Sequence, residues 1–410
     1  MNSFTGHCLI VIPSLARWVS DFNVVSSYLA DNGWNIEILF PDERGHRKGW
    51  ASEETMKKAA ASLHPALTTR PLRITTRPVK PSIWDSFITF CIAASEARKR
   101  DKLFILWSAF GLILFGPWVR LFNRNCLYLV TGLGTQFTQR RQGTLKLKLT
   151  CLLYRFLFSS DSAMVIVHNK EDKQELVEKT RVAPQRVFVT GGCGVDPDDY
   201  EFDPEPITFP EKPVIIVPSR ILRDKGSLEA AEASSILTQR GIKHRMHFTS
   251  DLWFGREDSI TEAELKQAES YPDVEFIGFQ KDMLEVYRSA DVVCIPSWYR
   301  EGLQTALLEA SAAGVPIVAC DNIGVRDFIR PSVDALVAKP RNAKSLADKL
   351  EELLRNPKEA DRLRKSARTR LLGGFTSNHM LDVTTRVLAE LDPRVKPSSA
   401  STSEGPQSST

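Results

Sequence analysis

Several kinds of chemistry are missing from this chain of 410 residues. Its seven cysteines (Cys8, Cys91, Cys126, Cys151, Cys193, Cys294, Cys320) form no C-x-x-C and no finger-like spacing. They read as reduced core thiols of a cytosolic protein rather than as zinc ligands or a disulfide framework. There is no complete dinucleotide fingerprint and no G-x-x-x-x-G-K-[ST] loop. No D-x-D reads as a metal chelate beside a nucleotide, so neither metal nor cofactor is expected. His244 and His247 make an H-x-x-H with no carboxylate motif beside it, and read as core or surface histidines. Charge of one sign is also scarce: 54 Lys and Arg stand against 50 Asp and Glu, and the resulting +4 excludes a strongly basic nucleic-acid binder.

Long apolar runs are few. Leu103 to Val119 is uncharged for 17 residues, near the lower limit of about 17 for a spanning helix, but Gly111, Gly116 and Pro117 interrupt it. It fits a spanning segment, an interfacial apolar face, or a strand at Phe104 to Trp107 followed by a buried helix. The N-terminal run Cys8 to Ile12 has no basic leader and no small-residue cleavage site, so it reads as a first strand and not a signal peptide.

What is present fits two α/β domains: the length is too great for one core, and 42% hydrophobic with 25% charged residues is ordinary globular composition. The halves differ in charge. Residues 1–200 hold 26 basic and 18 acidic side chains, a surplus of +8 that could face something anionic. Apolar strands are expected near 8–12, 35–40, 103–107, 126–130, 162–167 and 187–190, then near 214–218, 245–249, 274–278, 291–296 and 315–319. Helices fall between them, the pattern of doubly wound parallel sheets. The Pro- and acid-rich stretch 201–213 reads as a linker. The expected division is a first domain over 1–204, a second over 205–375, a helix over 376–392 crossing back to the first, and a disordered Ser/Thr/Pro tail over 393–410.

Three segments carry chemistry. The run Glu301-Gly302-Leu303-Gln304-Thr305 follows a buried strand, and Gly302 permits a tight turn into a helix over Thr305 to Ala313. Free N–H groups and a positive dipole end at Leu303, Gln304 and Thr305 make an anion site suited to a diphosphate. Glu309 lies one turn beyond Thr305, so two carboxylates bracket that site and fit sugar or ribose hydroxyls. They also fit a solvated helix residue and a dipole partner. In the second segment, Ser219 to Gly226, Arg220 can fork onto phosphate oxygens and Lys225 can add a point charge, together neutralising a departing diphosphate. A surface salt-bridge network with Asp224 and Glu229 is the alternative. The third segment is Thr131-Gly132-Leu133-Gly134, where Gly132 and Gly134 let backbone approach a ligand. His168, at the end of the strand 162–167, is placed to touch one too.

In order and spacing these pieces resemble the retaining glycosyltransferases of family 4, which have the GT-B fold of two Rossmann-like doubly wound domains facing a central cleft. The likeness runs from Val214 to about Leu391, through Ser219-Arg220-x4-Lys225-Gly226, Phe276-Ile277-Gly278-Phe279, the E-x7-E element Glu301 to Glu309, and Ala313-Gly314-Val315-Pro316. In the first half, Thr131 to Gly134 and Gly192-Cys193-Gly194-Val195-Asp196 look like the branch that builds bacterial O-antigen, capsule and exopolysaccharide. By resemblance, Arg220 and Lys225 hold the donor diphosphate with the backbone of Leu303 to Thr305. Phe276, Ile277 and Gly278 line the base site, Glu309 binds ribose, and Glu301 contacts the transferred sugar. Gly132, Gly134 and His168 fall on the acceptor side. The first loop departs from the family's Gly-Gly and reads Pro13-Ser14-Leu15-Ala16-Arg17, Gln304 replaces a frequent Pro, and Asp334-Ala335-Leu336 stands where Gly-Leu is usual. The implied reaction is metal-independent transfer of a hexosyl or N-acetylhexosaminyl group from a nucleotide diphosphate sugar, a UDP-sugar, to a lipid-linked or oligosaccharide acceptor. The domains are expected to close over the donor to exclude water, with the protein peripheral on the cytoplasmic membrane surface, where the first-half charge and the run Leu145 to Phe156 suit anionic lipid. A core helix with basic residues on its wet side explains that run equally. A GT-B nucleotide-sugar epimerase and a non-catalytic donor-binding scaffold are the competing functions.

Overall fold

The protein is described here from a computed structural model, over residues 6–41, 58–72, 83–133, 137, 144–252 and 259–398. Over the described residues the chain forms two compact units: the first runs to Cys193 and is rejoined by residues 377–398, and the second is Gly194–Thr376. The division thus falls ahead of the expected 204/205 boundary. The physical reason lies in the stretch read as a linker, which packs on unit 2. The Phe202 ring lies under the guanidinium groups of Arg364 and Arg368, and Ile207 and Phe209 pack against that unit's core.

Unit 1 is built on a seven-stranded parallel sheet in the order β3-β2-β1-β4-β5-β6-β7. Its strands are β1 (Gly6–Val11), β2 (Trp34–Pro41), β3 (Leu67–Leu72), β4 (Lys102–Trp107), β5 (Cys126–Val130), β6 (Ala163–Val167) and β7 (Val187–Val189). The apolar runs that signal these strands are buried on both faces, as a parallel sheet between helical layers requires. Helices α1 (Leu15–Asp31), α2 (Ile83–Arg98), α3 (Ser108–Leu114), α4 (Gly116–Leu121), α5 (Leu145–Phe158) and α6 (Lys170–Thr180) connect them. Strand β3 has no counterpart in the sequence reading. It is a polar edge strand, and Pro71 is tolerated there because an edge position leaves one row of hydrogen bonds unmade.

The uncharged stretch 103–119 is not one helix. It is β4 followed by the short α3 and the start of α4, and among the described residues no helix is long and apolar enough to cross a membrane. At Gly116 a Cβ would sit 2.9 Å from Leu157, so the glycine lets α4 close on α5. The C-terminal helix Ser377–Leu391 packs on α1, β5 and β6. The chain after it does not begin a disordered tail at 393. Arg394 lies over the Trp34 ring, Val395 is buried, and Tyr28 donates to the carbonyls of Lys396 and Pro397. Residues 399–410 of the expected tail lie outside the described residues. The cysteines are unpaired, and five are buried, but Cys91 is exposed on α2 and Cys151 is half-buried against the margin of the unit 1 core.

Unit 2 repeats the plan with six parallel strands ordered β10-β9-β8-β11-β12-β13. These are β8 (Val214–Val217), β9 (Arg245–Phe248), β10 (Val274–Phe276), β11 (Val292–Ile295), β12 (Ile317–Cys320) and β13 (Leu336–Ala338), the last absent from the expected strands. Helices α7 (Ser227–Gln239), α8 (Glu262–Glu269), α9 (Met283–Arg288), α10 (Thr305–Ala313), α11 (Ile323–Arg326), α12 (Ala343–Leu354) and α13 (Pro357–Leu372) surround them. Both orders are those of the Rossmann-like doubly wound sheet. Each has a switch point where the winding reverses: between β1 and β4 in unit 1, and between β8 and β11 in unit 2.

Candidate active site

The residues singled out in unit 2 gather at that switch point, where open α/β sheets leave a crevice beyond their carboxyl ends. Strands β8 and β11 are neighbours, with Val292 opposite Ile215, so the loops that follow them must meet. They are tied through backbone: the carbonyl of Asp224 accepts the N–H groups of both Trp298 and Tyr299 at 3.2 Å. Gly226 permits the approach. It has φ +74°, and a Cβ there would fall 2.2 Å from the carbonyl oxygen of Pro296.

This join places Lys225 against Glu301. The ammonium donates to a Glu301 carboxylate oxygen, with the two side chains only 12% and 19% exposed. Lys225 therefore pairs with one of the candidate carboxylates. The salt bridge to a neighbouring helix is made by Arg223, whose guanidinium forks onto Glu264 of α8. Arg220 is half-buried, two residues before Leu222, itself fixed by its N–H to Ser227 Oγ at 3.2 Å.

Helix α10 opens just past Glu301. Gln304 is its N-cap, but no side chain caps it and its first turn has no acidic residue. The amino end thus keeps its positive dipole and open N–H groups, as an anion site requires. Gly302 and Leu303 are buried. Gly324 of α11 presses on this turn, since a Cβ there would lie 2.2 Å from the Gly302 carbonyl oxygen. Asn322 donates to the Ser297 carbonyl at 2.6 Å. Side-chain polar atoms of these loops, among them Ser219 Oγ, Gln304 Nε2 and Asn322 Oδ1, are buried without a hydrogen-bond partner. Buried polar atoms are rarely left so, and polar atoms of a ligand or water complete them at a binding site.

Glu309 sits on α10 as predicted, one turn past Thr305, but it is not a solvated helix residue. Its Oε2 accepts the hydroxyl of the buried Tyr287 at 2.8 Å. Burial and the Glu309 charge both push the Tyr287 phenol up, and the same two causes raise Tyr200, whose ring meets Tyr287 edge-on at 6.2 Å. Both phenols stay protonated and can only donate to the carboxylate, fixing its direction.

The expected base-site residues divide between the two faces of the sheet. Phe276 turns into the core and stacks on Phe248 at 4.6 Å. Ile277 lines an open cavity of about 550 Å³ with Phe279, Gln280 and His247. Gly278, at φ +71°, bends the chain between them, and the turn is held by Gln280 donating to the Ile277 carbonyl at 2.8 Å. His244 is structural: one ring nitrogen meets Ser234 Oγ at 2.7 Å and the other the Ile242 carbonyl at 2.9 Å. His247 lies 3.5 Å from Glu275.

Among the described residues no three His, Cys, Asp or Glu side chains are grouped to hold a metal. The sequence does contain one Asp-x-Asp, Asp196-Pro197-Asp198, and the structure makes it a turn, with Asp196 accepting the N–H of Asp198 at 3.1 Å.

In unit 1 the predicted residues are less exposed than their loop positions implied. His168 ends β6 but is only 3% exposed, with Nε2 3.8 Å from Cys193 Sγ and its ring against Phe22. Burial, helped by the Arg17 charge, holds it down to about 3, so it is neutral near pH 7. Gly132 has φ +157°, and the next N–H, of Leu133, points to Asp172 Oδ2 at 3.4 Å. Gly134 lies outside the described residues. The sequence reading missed Asp172, which also accepts from Asn169 Nδ2 at 3.1 Å and so links the glycine loop to the α6 cap. The asparagine-x-x-aspartate opening of α6 was the available signal. It likewise missed Arg17, which lies over the Trp107 ring at the β1 and β4 ends.

Residues 199–370, a stretch within unit 2, match the family described as glycosyl transferases group 1. The chain is 29% identical over 217 residues to the N,N'-diacetylbacillosaminyl-diphospho-undecaprenol alpha-1,3-N-acetylgalactosaminyltransferase of Campylobacter jejuni, covering 52% of this chain and 54% of that protein. It is 25% identical to the capsular polysaccharide biosynthesis glycosyltransferase CapM of Staphylococcus aureus, over 38% of this chain and 41% of the other. The chain thus spans about half the length, or less, of the curated relatives it matches. Among solved structures, Anabaena HepE in complex with UDP-glucose aligns with a TM-score of 0.72 at 15% identity, covering 95% of this chain and 100% of that one. TarM aligns with a TM-score of 0.70 at 12% identity, over 94% and 99%. At such identities the likeness shows the fold, which is the GT-B class with its two Rossmann-like domains.

Proposed function

We propose that the chain is a retaining glycosyltransferase of family 4 acting in bacterial surface-polysaccharide biosynthesis. Its donor is a nucleotide diphosphate sugar, a UDP-sugar carrying a hexose or N-acetylhexosamine, and its acceptor is a lipid-linked or oligosaccharide sugar at a membrane surface. The observation that carries this reading is the convergence of Lys225, Glu301 and the uncapped amino end of α10 at the unit 2 switch point. A diphosphate placed there meets the helix end, Arg220 and Lys225. In transfer, the bond from the anomeric carbon to the diphosphate oxygen breaks and the diphosphate leaves with the electron pair. The acceptor oxygen then bonds the anomeric carbon, and its proton passes to the departing phosphate. Lys225, Arg220 and the helix N–H groups stabilise the leaving charge. Glu301 holds Lys225 in place until the donor arrives and then faces the sugar hydroxyls, while Glu309, aimed by Tyr287, accepts the ribose hydroxyls. The relatives named above support the choice of substrates by their printed names.

The test is release of UDP from a panel of UDP-sugars, with and without a polyprenyl-diphosphate-linked sugar. Acceptor-dependent release, cut about 100-fold or more by Glu301→Gln or Lys225→Met, is the expected result. Release of UDP without acceptor from the parent and from both variants alike would contradict it, as would conversion of the sugar nucleotide without transfer, which is the epimerase outcome.

A further inference from the structure

Helix α5 is apolar on two opposite sides. Leu147, Tyr154 and Phe158, with the half-buried Cys151, follow a spacing of i, i+4, i+7, i+11 and face the core of unit 1. Leu145, Leu149, Leu152 and Phe156 follow the same spacing from a start two residues earlier, which at 3.6 residues per turn is about half a turn away. Those four are 72%, 57%, 61% and 45% exposed. The side expected to be wet is therefore a stripe of leucine and phenylalanine, three turns long. Exposed single leucines are ordinary, but an unbroken stripe opposite the core face marks a surface that meets an apolar partner.

The charges around the stripe identify the partner. Lys148 and Arg155 border it on one side and Lys146 on the other, all exposed. Arg120 of α4 lies over the Phe156 ring and donates to the Phe156 carbonyl at 3.2 Å. Its neighbour Leu121 is 65% exposed. From Lys102 to Ser160 the sequence has eight Lys and Arg and not one Asp or Glu. Leucines bordered by cations, on helices α4 and α5 that carry no acid of their own, match the boundary of an anionic bilayer, where apolar side chains enter the acyl region and the cations meet lipid phosphates. A protein partner or a second copy would gain nothing from excluding acid over 59 residues, and like charges would oppose self-association.

We infer that the outer face of α5, with Arg120 and Leu121 of α4, docks unit 1 on an anionic lipid surface. The inference goes beyond the transferase reading and stands on unit 1 alone, so the two can fail separately. The experiment is co-sedimentation of the full chain with vesicles of phosphatidylcholine alone and of phosphatidylcholine with about 30 mol% phosphatidylglycerol. UDP binding is read in the same samples. The parent is expected to sediment with the anionic vesicles at least about tenfold more tightly than with neutral ones, less so in high salt. Leu149→Ser with Leu152→Ser is expected to lower anionic-vesicle binding about tenfold or more, and Lys148→Glu with Arg155→Glu to abolish the preference for anionic lipid. Both pairs are exposed, so circular dichroism, melting temperature and UDP binding should match the parent. Equal sedimentation with both vesicle types, or a leucine pair that binds like the parent, would overturn the inference. So would a dimer in light scattering that the leucine pair dissolves, since the stripe would then join two copies.

Discussion

His168 shows how a single residue can be well placed in sequence and different in chemistry. It ends a central strand, yet it is covered, neutral and set against Cys193 and Phe22. Its folded pKa, about 3, lies below the ordinary imidazole value of 6.5, so the unfolded chain binds the proton that the folded one refuses. Stability is therefore full above the unfolded value and is lost as pH falls from about 6.5 toward 3, at about 1 kcal/mol per pH unit from this group. Urea unfolding between about pH 6 and pH 5, above the range where carboxylates such as Glu96 titrate, is expected to be steeper in the parent than in His168→Gln by about that amount. Equal slopes would mean the imidazole is solvated. At the same scale, the Lys225 to Glu301 pair was only half legible. Each residue stood out in its own loop, but their contact joins positions 76 apart and depends on the close approach at Gly226. No local spacing encodes that.

At the scale of elements, α10 trades stability for an open end. Among the described residues six helices carry a side-chain cap, Asn342 and Asn356 capping α12 and α13, whereas α10 has Gln304, which makes no cap bond. Gln304→Asp is expected to cap the helix and raise unfolding stability by about 1 kcal/mol while weakening UDP binding about tenfold through repulsion of the diphosphate. Thermal unfolding and a UDP titration of the same variant check both halves. A variant that gains stability and binds UDP like the parent would place the anion elsewhere. Elements were legible where burial is two-sided, as in β1 or β11, because a continuous apolar run leaves little choice. They were not legible where the signal is shared. Strand β3 is polar because it is an edge, and the leucines of α5 satisfy one helical period on either of two faces, so the pattern alone could not say which face is outside.

At the scale of the whole molecule, two doubly wound sheets are written into alternating strands and helices, and the unit 2 site into the order of its loops. Where one unit ends was less legible. The acidic, proline-rich stretch after Asp199 has the composition of a linker, but Arg364 donates to the carbonyls of Asp203 and Glu205 and holds it on unit 2. Composition reports solubility, whereas that attachment depends on an arginine some 160 residues away. On the proposed function, unit 2 binds the nucleotide diphosphate of a sugar donor at its switch point. Saturation-transfer NMR of the full chain against nucleotides and nucleotide sugars, repeated with Glu309→Ala and Arg220→Ala, tests it most directly. The prediction is binding of a UDP-sugar that each substitution weakens about tenfold or more, with ribose signals lost in the first variant. No nucleotide binding, or both variants binding like the parent, would contradict it.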